Sequence, residues 1–153
     1  MVEVLADGAK LFCGTHLRVR VAVITPGVVL VSASGEVLDA TDTSIEAAVL
    51  AELDRELERA STLTLFVDLR QSPRMPAPSR NLIAEWTRRH RVRLLPSHVL
   101  VRSKLLEMAF SIIMMLVGSG VFNIHTSAED FLRLVRKVAP KLAELPRIPE
   151  RAA

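Results

Sequence analysis

Cross-links and stacking surfaces are nearly missing from this chain. Among its 153 residues there is one cysteine, Cys13, no tyrosine, a single tryptophan, and aromatics make up only 4%. One thiol can form neither an internal disulfide framework nor a cysteine zinc cluster, and it suits a reducing compartment. So few aromatics leave no supply of base-stacking platforms. Charge of one sign is scarce too. Lys and Arg total 20 against 17 Asp and Glu, a net charge of +3, which falls short of the electrostatic footprint of a nucleic-acid binder. Glu3 and Asp7 stand where a signal peptide would carry cations. The longest apolar run covers 108–117 and is broken only by Ser111. It is shorter than the roughly 20 residues that cross a bilayer. A cytoplasmic location without a nucleic-acid partner is therefore expected. What is present is a chain 50% hydrophobic and 24% charged, which excludes a disordered, solvating polymer and fits one domain with its own core.

Order along the chain predicts the elements. Leu17, Val19, Val21 and Val23 alternate with Arg18, Arg20 and Ala22, the period of a strand with one inward face. Pro26-Gly27 signals a turn. Residues 28–31 resume the β-branched pattern as far as Ser34-Gly35, so the domain opens on a hairpin. Thr43 and Glu46 have capping-box spacing, and Ile45, Val49, Leu53 and Leu57 recur every fourth residue, predicting an amphipathic helix over 44–60. Residues 63–69 read as a buried strand ending in an acid. The three prolines within 72–78 predict a stiff loop. Ser79 is then placed to cap a helix reaching about residue 90, with Leu82, Ile83 and Trp86 inward. A strand over 97–102 precedes a helix that Ser103 caps and Gly118-Ser119-Gly120 stops. A short strand over 121–124 leads to a capping box over 126–129. The last helix, with Phe131, Leu132, Val135 and Val138 on its stripe, ends near Pro140.

The order ββαβαβαβα predicts an α/β fold. Its sheet would be mixed, mainly parallel and four- to five-stranded, with an N-terminal β-hairpin and about four helices. Residues 1–15 are expected to form an arm, 16–140 the domain and 141–153 a loosely held tail.

Particular residues add to this order. They are Ser34-Gly35-Glu36-Val37, the helix over 44–60, the strand Leu65-Phe66-Val67-Asp68-Leu69-Arg70, and the helix start Thr126-Ser127-Ala128-Glu129-Asp130-Phe131-Leu132. Together they resemble the STAS domain, named for sulfate transporters and anti-sigma factor antagonists, over about residues 17–138. The resemblance implies a STAS-like fold and a non-catalytic role in bacterial-type regulation, exerted by binding a partner protein. In classical members a serine at the start of the second helix, within Asp-Ser-Ser-Gly-Leu, is phosphorylated to switch binding. This chain has Ala77-Pro78 at the matching distance after Asp68, so it looks like the group without that motif. Ser79 and Ser72 are the nearby hydroxyls that a phosphate could use. A helix N-terminus would stabilise the added charge, and a plain cap is the competing role for Ser79.

The helix over 104–117 is the most unusual stretch. Met108, Phe110, Ile112, Met114, Met115 and Leu116 leave Glu107 and Ser111 as nearly its only polar positions beyond Lys104. A helix on a sheet buries about a third of its circumference, so this one has apolar surface to spare. Such surplus marks interfaces, and methionines make adaptable contacts. A protein partner or a homo-oligomer is expected at this helix and at the 70–80 loop. The alternatives are a hydrophobic small molecule, a membrane surface, or burial beneath the arm and tail. Arg88, Arg89 and Arg91 form the densest cationic run, suited either to an anion contact or to a solvated helix end that complements the C-terminal dipole. Asp68 has no second carboxylate or histidine placed beside it by motif, and His16, His90, His98 and His125 show no ligand spacing. No catalytic residue, metal or cofactor is expected. Asp39, Asp42 and Glu46 read as helix-start acids.

Overall fold

The computed structural model describes residues 1–150. Within them one sheet holds seven strands instead of the four or five expected. They run β1 (Val2–Val4), β2 (Lys10–Cys13), β3 (Leu17–Thr25), β4 (Val28–Gly35), β5 (Thr64–Gln71), β6 (Ser97–Leu100) and β7 (Phe122–His125), and they lie side by side in chain order. The two additional strands come from the segment expected to be an arm. Pairing of Leu11 with Arg20 and of Phe12 with Val19 covers what would otherwise be a long open edge on β3. β1 to β4 are antiparallel, and β4 to β7 are parallel.

Four helices follow: α1 (Ala40–Ala60), α2 (Ala77–Arg89), α3 (Lys104–Val117) and α4 (Ala128–Arg136). Parallel strands laid down in one direction, with crossovers of one hand, place every crossover helix on the same face. α1, α2 and α3 accordingly share a core with Val29, Val31, Leu65 and Val99. The intervening residues Leu30, Phe66 and Leu100 point to the other face, where Phe131 and Val135 of α4 and Leu145 meet them. The segment after α4 is thus not loose through residue 150. Leu145 and Ile148 are buried, and Gln71 clamps the Ile148 backbone, donating to its carbonyl at 2.9 Å and accepting from its amide at 3.0 Å. The reason is coverage, because α4 alone is too short to shield the second face. Arg18 and Arg20 point to this face as well and are not free in solvent. Arg18 donates to the Pro149 carbonyl and Arg20 pairs with Asp7.

Three helix starts differ from expectation, each for a capping reason. α1 begins at Ala40 because Asp39 caps it, accepting from the Asp42 amide at 2.9 Å. Thr43 is therefore inside the helix, bonded back to the Asp39 carbonyl. α2 takes Ala77 and Pro78 into its first turn, where a proline loses no hydrogen bond. Ser79 is consequently within the helix and does not cap it. α4 is capped by Ser127 and not by Thr126. At the end of β4, Gly35 has φ +91°, and a Cβ there would stand 1.9 Å from the His16 carbonyl oxygen, so only glycine closes this strand end.

Candidate interaction surface

α3 starts where Ser103 accepts from the amides of Leu105 and Leu106, at 3.1 and 3.4 Å. Helical periodicity then divides its apolar residues between two faces. Leu106, Ala109, Phe110 and Ile113 are buried, and the Phe110 ring meets Phe122 edge-on at 5.6 Å. The opposite face carries Leu105, Met108, Ile112 and Met115, which are 59%, 61%, 37% and 84% exposed, with Leu116 beside them. Among the described residues neither arm nor tail covers this face. The arm's strands lie at the far edge of the sheet from β7, and the tail packs against α4. Of the six residues singled out in the sequence, Met108, Ile112, Met115 and Leu116 stand outward, Met114 is partly buried against the core, and Phe110 is core.

The loop expected over 70–80 is confined to 72–76, because β5 runs to Gln71 and α2 starts at Ala77. It adjoins the start of α3, since the Ser103 hydroxyl donates to the Pro73 carbonyl at 2.6 Å. Arg74 reaches back from the loop to Glu36 at 3.1 Å. Ser72 and Ser79 are both buried. The Ser79 hydroxyl donates to Glu46 at 2.8 Å, so a phosphate there would face a carboxylate, and the side chain would first have to leave its pocket. The arginine run has partners of its own. Arg88 pairs with Glu85 at 3.3 Å, and Arg91 donates to the carbonyls of Val117 and Ser119, each at 3.3 Å. Arg91 therefore closes the C-terminal end of α3. Arg89 is exposed.

No family model and no curated protein matches the chain. Among solved structures, the crystal structure of an anti-sigma factor antagonist from Mycobacterium paratuberculosis is similar, with a TM-score of 0.50 and 19% sequence identity. The match covers 88% of this chain and 99% of that one. The fold is STAS-like. In this STAS-like chain, β1 to β4 make an antiparallel half and β4 to β7 a parallel half. Among the described residues no helix is long and apolar enough to cross a membrane.

Two side-chain groupings of the STAS-like domain escape a reading of the sequence. Asp42 is fully buried and accepts from the amides of His16 at 2.8 Å, Leu17 at 3.1 Å and Leu38 at 3.1 Å, and it lies 2.9 Å from His16 Nδ1. Burial alone would raise its carboxyl, but the His16, Leu38 and Leu17 donors outweigh it and hold the group far below the ordinary aspartate range. His98 and His125, far apart in sequence, lie 2.9 Å apart, Nδ1 to Nε2, because β6 and β7 are neighbours. Burial, and then the His125 charge, lower the His98 value. The histidine pair follows from the adjacency of β6 and β7, and the Asp42 grouping from the packing of the start of α1 against the entry to β3, and both need the fold first. Asp68, expected to end its strand, lies within β5, which runs on to Gln71, and is held by Arg70 at 2.9–3.2 Å.

Proposed function

We propose that this STAS-like domain is a non-catalytic regulatory module of the cytoplasm that works by binding protein through the outer face of α3 and the adjoining 70–80 loop. The observation that carries this reading is the stripe of Leu105, Met108, Ile112 and Met115, apolar and open to solvent on a helix whose other face already fills the core. Water-exposed apolar surface of this kind is stabilised by an occupant. The structural neighbour is described as an anti-sigma factor antagonist, a regulator whose description names another protein as its target, which favours a protein occupant here. A second copy of the chain suits the stripe. Its four outward side chains carry no charge, so two such faces can meet about a two-fold axis without like charges opposed.

Light-scattering mass across a concentration series tests this, with Met115→Lys as comparison. The reading expects a dimer whose dissociation moves to at least about tenfold higher concentration in the variant, the effect of placing a charge in an apolar contact. A wild type that stays monomeric throughout contradicts the choice of a second copy and leaves a different protein as the occupant.

A further inference from the structure

Behind the 70–80 loop, the core is not full. A cavity of about 150 Å³ runs between the sheet and the inner faces of α1, α2 and α3. Its wall is almost wholly apolar and includes Val31, Leu50, Leu65, Trp86 and Phe110. An apolar cavity of about this size stays dry and accepts a single benzene ring. Arg74 is the one exposed side chain of the wall, and with Met75 and Pro76 it marks the end that opens under the loop. The Arg74–Glu36 ion pair ties that loop to the end of β4.

Six polar side chains line the wall: Glu36 and Arg74 pair with each other, Thr87 donates to the Ile83 carbonyl at 2.7 Å, and Ser72, Glu46 and Ser79 remain. Ser72 is 7% exposed, and its Oγ has no hydrogen-bond partner. An unsatisfied buried hydroxyl calls for a reason. Glu46 also lines the cavity, and its hydrogen-bond partner there is the Ser79 hydroxyl instead of a cation. Burial raises the Glu46 carboxyl above its ordinary value against the pull of Ser79, and the Asp42 charge pushes further upward. An acid in this setting accepts from a hydroxyl and repels a second carboxylate.

We propose that this cavity is a binding site for a small, uncharged, largely apolar molecule with one hydroxyl, about the size of a single-ring aryl alcohol, held by Ser72 and Glu46. The site is independent of the outer face of α3, so the failure of either proposal leaves the other standing. A reporter is built in, because Trp86 is the only tryptophan and lines the cavity.

The experiment titrates the full chain with benzyl alcohol, toluene and benzoate while following Trp86 emission, with Met75 methyl shifts as a second readout. Benzyl alcohol should saturate and bind about tenfold more tightly than toluene, the equivalent of one hydrogen bond. Benzoate should not bind. Ser72→Ala should bring benzyl alcohol down to the toluene affinity, and Leu50→Phe, which fills the cavity, should abolish both. If Leu50→Phe does not fold, the Met75 shift in the wild type decides. Absence of saturation with all three probes would overturn the site. So would unchanged binding in a folded Leu50→Phe. Equal affinity for toluene and benzyl alcohol, or tight benzoate binding, would overturn the assigned polar end.

Discussion

At the scale of single residues, Asp42 joins two separated pieces of chain. Its carboxylate gathers the amides of His16 and Leu17 from the entry to β3 and of Leu38 from the approach to α1. The space it needs comes from Gly14, where a Cβ would lie 2.5 Å from Asp42 Oδ1. Removing this acceptor strands three amides, so Asp42→Ala should cost about 3 kcal/mol or more in urea unfolding. The pH dependence has a definite sign. The folded-state value is depressed, so this stabilisation is complete above the unfolded aspartate value of about 4 and is lost as pH falls through the folded value. Acid titration should find the wild type losing its advantage over Asp42→Ala only on the acid side of about pH 4. In the sequence, Asp39, Asp42 and Glu46 are three alike helix-start acids. Only Asp39 serves as the cap. The other two also bind partners 25 or more residues away, a distance at which local spacing carries no signal.

At the scale of elements, α3 was legible as a helix with more apolar surface than a sheet can cover. Its capping serine and its glycine stop both stand where expected. Which side chains turn outward was not legible, because a helix apolar nearly all round has no polar stripe to orient it. The structure supplies that division. Phe110 packs on Phe122, and Met115 is open. Phe110→Ala should therefore cost about 3–4 kcal/mol of stability, whereas Met115→Lys, compared at concentrations where the chain is monomeric, should stay within about 0.5 kcal/mol of wild type. Equal losses in thermal or urea unfolding would mean that the two faces are wrongly divided. The helix starts teach a related lesson. Thr43 and Thr126 have capping-box spacing, but Asp39 and Ser127 form the caps. Pro78 lies inside α2 because its missing amide is harmless in a first turn.

At the scale of the whole molecule, the run of alternating helices and strands after the hairpin was readable, since each has a period or a run of its own. The arm and the tail were not. β1 and β2 are only three and four residues long, too short to show a period, and they are strands because β3 offers them a ladder. The tail's apolar residues stand among prolines and charges without a period, but Leu145 and Ile148 are set where the second face of the sheet lacks cover. With both faces closed in this way, the outer stripe of α3 is left as an apolar helix face open to solvent. The five methionines make this directly measurable. Met108 and Met115 lie on the stripe, Met114 is partly buried, Met75 is at the cavity, and Met1 is at the chain start. Methyl NMR across a protein concentration series should shift or broaden Met108 and Met115 together while Met75 stays unchanged. Sharp, unmoving Met108 and Met115 signals at every concentration would contradict self-association through this face.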